Sequence, residues 1–245
     1  MSGALVVEGV SKRFGGLLAV DDVSFAVAPG ELVSIIGPNG AGKTTLFNLL
    51  TGQLAPSAGR VLLDGHDVSR LAPYRRAALG FGRTFQISQT LTSLTTLENA
   101  MVGAFLRHAG LRAAADHAHA MLELVGLSPR ASVRAGVLTL SERRRLEVAR
   151  ALATDPRIVL LDEVMAGLNQ TEIQEIVDLV QRLNADGHTF LVIEHNLKVV
   201  RQFSHRVIVL HRGAMLAEGT AEDVLANPTV VEAYVGKRRS VEAGA

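Results

Sequence analysis

The strongest constraint on this chain is a stretch of eight residues. Gly37-Pro38-Asn39-Gly40-Ala41-Gly42-Lys43-Thr44 satisfies the pattern G-x-x-x-x-G-K-[ST]. It stands between a nearly continuous apolar run, Leu32-Val33-Ser34-Ile35-Ile36, and a helical segment, Thr45 to Leu50. An apolar run without alternation marks a strand buried on both faces, as in a parallel sheet covered by helices. Glycines in the turn let the backbone wrap a phosphate with its N–H groups inward, where a Cβ would obstruct. The start of the helix adds the positive end of its dipole and unpaired donors. Lys43 brings a point charge to the outer phosphate oxygens, and the Thr44 hydroxyl is a Mg²⁺ ligand. The bland reading, a glycine-rich turn with an incidental lysine, is disfavoured because strand and helix flank the pattern as the chemistry requires. The chain has 25 basic residues and only four lysines, Lys12, Lys43, Lys198 and Lys237, so the lysine of this loop is readily singled out.

Composition excludes several function classes. There is no cysteine among the 245 residues, hence no disulfide scaffold, thiolate zinc site or cysteine nucleophile. A formal net charge of +1 argues against a broad nucleic-acid surface, which needs a dense basic excess. Apolar runs such as Ile158–Leu161 and Phe190–Ile193 are four residues long, whereas a membrane span needs roughly 18 or more. The N-terminal residues show no secretory pattern. A cytoplasmic protein is expected, with any link to a membrane made through a partner.

Along the chain, Leu5-Val6-Val7, Val23 to Val27 and Val61-Leu62-Leu63 read as strands. From about Leu94 to Ala153 the chain is helical, rich in Ala and Leu. Strand character returns at Ile158 to Leu161, Phe190 to Ile193 and Val207 to Leu210, with a helix over about Thr171 to Ala185. Strands alternating with helices predict a mostly parallel α/β sheet, and the helical insertion predicts a second lobe.

Two strand ends carry chemistry. Ile158-Val159-Leu160-Leu161 runs into Asp162-Glu163. Asp162 is placed to reach Mg²⁺ directly or through water. Glu163 projects differently and can polarise an attacking water as general base. Acids commonly end strands, and only the preceding phosphate loop raises this pair above that ordinary reading. Phe190 to Ile193 ends in Glu194-His195, and a histidine just past a strand end on the loop's edge can contact a γ-phosphate.

Taken in order, the loop 37–44, Arg83-Thr84-Phe85-Gln86, a short motif before an Arg-rich helix, Asp162-Glu163 and His195 resemble the nucleotide-binding subunit of an ATP-binding cassette (ABC) transporter. The resemblance covers nearly the whole chain. It is nearest to ATPases of branched-chain amino-acid importers, through Arg13 to Val20, Arg145 to Leu152, Ala166-Gly167-Leu168-Asn169, Ile193-Glu194-His195 and the tail from Asn227-Pro228 to Tyr234-Val235-Gly236. It implies an α/β P-loop fold with an N-terminal antiparallel β subdomain and an inserted helical subdomain, over residues 4–238 with the insertion at about 88–153 and a tail at 239–245.

The resemblance also implies roles. Phe14 would stack on adenine, and Thr45 would join the loop in binding ATP. Gln86 would sense Mg²⁺ and the nucleophilic water while facing the membrane subunit. Asn169 would lie in a loop crossing a dimer interface, and His195 would act as the switch on the γ-phosphate. Two cassettes would dimerise head to tail, each closing its signature motif over the other's ATP. Membrane permeases and an extracytoplasmic binding protein would complete the machine.

The signature motif departs from the family pattern. This chain has Leu138-Thr139-Leu140-Ser141-Glu142, with Ser141 where a glycine is usual. Arg143 stands where Gln is usual, and Val164 replaces a proline. Ser141 would crowd the partner's phosphate or merely cap the following helix. Glu142-Arg143-Arg144-Arg145 reads as a solvated helix face. The same residues leave open a homo- or heterodimer, an amide or urea importer, a lipopolysaccharide-type exporter and a non-transport cassette. A kinase sharing the loop would not need Gln86, the signature and His195.

Overall fold

The computed structural model of the chain describes residues 4–84 and 90–235. The expectations for Gln86 and the tail 239–245 lie outside the described residues. The chain opens with a hairpin, β1 (Leu5–Phe14) and β2 (Leu17–Val27), paired antiparallel from Leu5↔Val27 to Phe14↔Leu17. Both strands run far beyond Leu5–Val7 and Val23–Val27, the extents expected from alternation. Shifts of register between Val7 and Val10 and between Val10 and Lys12 absorb the residues that break the pattern. With β4 (Ala58–Leu63) and β5 (His66–Asp67), they form a four-stranded antiparallel sheet in the order β2-β1-β4-β5.

The second sheet is built on β3 (Leu32–Ile36), which leads through the glycine-rich loop into α1 (Lys43–Leu50). After α2 (Pro73–Leu79) and the short β6 (Phe81–Arg83) come three helices, α3 (Thr96–Ala104), α4 (Leu111–Leu124) and α5 (Leu140–Leu152). The chain then alternates: β7 (Ile158–Asp162), α6 (Gln170–Ala185), β8 (Phe190–Ile193), α7 (Leu197–Phe203) and β9 (Arg206–His211). It closes with β10 (Ala214–Gly219), α8 (Ala221–Ala226) and α9 (Pro228–Val235). The order is β10-β9-β3-β8-β7-β6, parallel throughout except for β10 at one edge.

Burial explains the unbroken apolar runs. Every residue of β3, β7 and β8 is buried, and their apolar side chains divide among three cores. Ile158, Leu160, Leu191 and Ile193 pack with α1 and the antiparallel sheet. Val159, Leu161, Phe190 and Val192 pack with α3, α5 and α6. A smaller core places Ile36 and Val209 against Val200 of α7, Val224 of α8 and Val230 of α9. This is the expected α/β arrangement, with one correction. Arg144 is buried at 6% exposure and pairs with Glu147 at 3.2 Å, and Arg143 Nε donates to the Leu138 carbonyl. The run 142–145 is therefore not a solvated face, because α5 packs against neighbours on more than one side.

Candidate functional site

Parallel strands end on the same edge, so the C-termini of β3, β7 and β8 bring the loop 37–42, Asp162-Glu163 and Glu194-His195 together from distant parts of the chain. Two glycines of the loop are required by geometry. A Cβ on Gly37 would fall 2.2 Å from the Leu210 carbonyl oxygen, and one on Gly42, at φ +102°, 2.5 Å from that of Ala19. Gly40, at φ +78°, faces open space, and only its backbone conformation demands glycine. The result is a cleft of about 580 Å³ lined by Asn39 to Thr45, by Leu17, Leu18 and Ala19 of β2, and by Glu163, Arg212 and Gly213.

Lys43 is 7% exposed and curls back over the loop, donating to the carbonyls of Gly37 at 2.7 Å and Pro38 at 3.2 Å. Burial lowers its pKa, while the charges of Glu163 and Asp162 act the other way and favour the ammonium. A glycine loop leading into a helix N-terminus, with a buried cation held over it, has the chemistry of a polyphosphate site.

Glu163 leaves β7 in a left-handed conformation, φ +49°, with its N–H bonded to the Ile193 carbonyl at 3.1 Å. That backbone turn separates it from Asp162 and directs it into the cleft with Lys43. Asp162 is 1% exposed; its Oδ2 accepts from Arg83 Nη2 at 3.2 Å and its N–H bonds the Thr84 hydroxyl at 3.1 Å. Desolvation raises the Asp162 pKa, and the Arg83 guanidinium opposes that rise. Arg83 also donates to Asn48 Oδ1 at 3.0 Å and Thr51 Oγ1 at 2.7 Å, tying the end of α1 to the acid. Sequence reasoning assigned Arg83 no role, since an arginine in a three-residue strand carries no periodic signal. Arg212, in a left-handed turn between β9 and β10, was missed for the same reason.

Other expected residues stand further out. Phe14 ends β1, is 45% exposed and lies under Lys12 Nζ at 5.2 Å; its hairpin partner Leu17 lines the cleft, and Phe14 itself does not. His195 is exposed at the end of β8, its N–H bonded to Glu194 Oε2 at 3.3 Å, and is not among the lining residues. Asn169 caps α6, accepting from the N–H groups of Thr171 and Glu172 at 3.0 and 3.1 Å. In the segment 138–142, Leu138 is buried, Leu140 is exposed, and Thr139 is the N-cap of α5 in a capping box with Glu142. Ser141 is therefore not the cap. It lies inside the first turn, 3% exposed, with its hydroxyl buried and without a hydrogen-bond partner among the described residues.

With this geometry in hand, known proteins give the context. Residues 20–166 match the family described as ABC transporter, and residues 214–239 match the one described as branched-chain amino acid ATP-binding cassette transporter. The high-affinity branched-chain amino acid transport ATP-binding protein BraF of Pseudomonas aeruginosa is 42% identical over 250 residues, 95% of this chain and 98% of its own. A crystal structure of an ATP-binding cassette in its ADP conformation superposes with TM-score 0.88 at 34% identity, covering 97% of this chain and all of that one. A dimeric cassette in a post-hydrolysis state with ADP and phosphate superposes at 0.79 with 28% identity, covering 89% and 98%. By a family match over most of its length and by relatives that align almost end to end, this chain belongs to the ABC transporters, as an ATP-binding and ATP-hydrolysing cassette.

Proposed function

We propose that the chain powers uptake of branched-chain or other hydrophobic amino acids through separate membrane subunits. The observation that carries this reading is the match of residues 214–239 to the branched-chain cassette family, together with the relatives named for that cargo. The cassette domain is assigned to 4–238, with the helical subdomain at about 88–153. Among the described residues no helix is long and apolar enough to cross a membrane, which fits a peripheral subunit on the inner face.

In this reading the loop from Gly37 to Thr45 wraps the triphosphate, and Lys43 exchanges the Gly37 and Pro38 carbonyls for phosphate oxygens. Thr44, Asp162 and Gln86 would hold Mg²⁺, which when bound neutralises phosphate charge. With Oδ2 held by Arg83, Asp162 would act through a water. Glu163, aimed into the cleft beside Lys43, takes the proton of the attacking water. His195 reaches the γ-phosphate from the edge of the sheet, and Phe14 stacks on adenine at the cleft mouth.

Leu138 to Glu142 would face the nucleotide of a second cassette, with Asn169 crossing the interface. The burial of Ser141 favours a working site over a crippled one, because its hydroxyl is turned into the protein. The membrane subunit would dock in an apolar groove of about 390 Å³ between α2, α3 and α5, whose rim exposes Tyr74, Val102 and Leu106. Thr84 lines that groove two residues before Gln86, which supports coupling from the docking face to the cleft. An extracytoplasmic binding protein would supply the cargo.

Glu163→Gln separates binding from chemistry. ATP binding should be retained while turnover falls by about 10²–10⁴, the usual contribution of a general base. Near-normal turnover would remove Glu163 from this role. Loss of radiolabelled leucine uptake in cells carrying the variant, with uptake of an unrelated solute intact, tests the cargo.

A further inference from the structure

We propose a divalent transition-metal site, of the zinc class, formed by His108, His117 and Asp155, none of which lines the nucleotide cleft. His108 follows α3, His117 lies in α4, and Asp155 lies in the turn after α5, so the three come from separate segments. Their ligand atoms all lie within 4.8 Å of one another. His117 Nε2 is 3.2 Å from Asp155 Oδ1, and His108 Nε2 is 4.0 Å from Asp155 Oδ2, one carboxylate oxygen for each imidazole. The rings are tilted by 41° with centroids 4.6 Å apart.

Two observations distinguish this cluster from an ordinary His–Asp ion pair. Both Nε2 atoms are shielded from solvent and, among the described residues, neither makes a hydrogen bond, although an oxygen stands 3.2 Å from one of them. A pair that exists for the hydrogen bond aims the N–H at the oxygen. Ligands of a metal aim at a shared point between them instead. The spacing also fits: tetrahedral coordination at about 2.0–2.2 Å sets donors roughly 3.3 Å apart, close to the 3.2 Å between His117 and Asp155, with His108 Nε2 at 4.0 Å from the other carboxylate oxygen. Two imidazoles and a carboxylate select Zn²⁺ and its neighbours over Mg²⁺ or Ca²⁺. Asp155 is half exposed, leaving a fourth position for water.

The site would staple three segments beside the docking groove. Arg107 Nε already donates to the Thr154 carbonyl at 3.1 Å, and Leu106 and Thr154 line that groove. Metal binding would therefore set the spacing of α3 and α5 at the face offered to the membrane subunit.

The test is titration of the nucleotide-free full chain with Co²⁺, followed by its visible absorption, and then displacement by Zn²⁺. One Co²⁺ per chain is expected, with the intensity of a low-symmetry site. His108→Ala, His117→Ala and Asp155→Asn should each weaken binding by at least about tenfold. Asparagine is chosen at position 155 because that residue sits at φ +48°, a conformation Asn tolerates. His119→Ala, at an exposed histidine of the same helix, should change nothing. Thermal unfolding in chelator, unchanged among the variants, keeps a folding defect from passing as loss of a ligand. Absence of a stoichiometric spectrum in the wild type overturns the proposal, as does binding that survives in His117→Ala or is lost in His119→Ala.

Discussion

Single residues in this chain show how position overrides type. Glu194 has the composition of a surface residue and is 1% exposed. Desolvation pushes its pKa up to about 7, against the His195 charge and backbone hydrogen bonds that favour the carboxylate. The native state therefore holds a proton that the unfolded chain releases near its ordinary value of 4.5. Stability from this group is fully present below that value and is lost as pH rises through about 7, a swing on the order of 3 kcal/mol. Glu194→Gln cannot ionise and should lack this slope, so urea midpoints of wild type and variant should diverge between pH 5 and pH 8. Parallel profiles would show that the carboxyl is solvated.

At the scale of elements, the sequence pattern and the packing diverge most at α2. Arg76 stands beside the exposed Arg75 in sequence, yet it is 1% exposed. Its guanidinium donates to the carbonyls of Leu49 and Leu50, each at 2.6 Å, of Ser69 at 2.7 Å and of Leu71 at 3.1 Å. Burial brings its pKa down to about 10, so the charge persists at neutral pH and meets the negative end of α1. The arginine thus caps the helix that begins at the phosphate loop. Arg76→Leu would leave those acceptors without a donor, costing about 2–4 kcal/mol and lowering Tm by roughly 5–10 °C. Calorimetry against Arg75→Leu, an exposed neighbour expected to be silent, checks this. No periodicity marks Arg76, because its partners are backbone atoms brought near by the fold.

For the whole molecule, the nucleotide cleft and the apolar groove are separate surfaces. Arg83 and Thr84 line the groove, and the same two residues hold Asp162 from behind. Disturbing the groove rim alone should leave the isolated cassette's chemistry intact. Tyr74→Asp combined with Val102→Asp should retain ATP binding and basal hydrolysis, while co-purification with the membrane subunits falls by at least about tenfold, as expected when charge enters an apolar contact core. Undiminished capture would move docking to another face.

Local chemistry is readable along the chain. The loop 37–44, the strand before it, the acids ending β7 and the alternation of strand and helix were legible because each is set by neighbours in the chain. The remainder follows from contacts between distant segments. These turn Glu163 and not Asp162 into the cleft, and set Arg83 behind Asp162 from 79 residues away. They also bury Arg76, Arg144 and Ser141, and gather His108, His117 and Asp155 at one corner. A hydrophobic period records which face of an element meets the core, whereas it holds no record of which distant polar group waits there. That information exists only once the layers have closed.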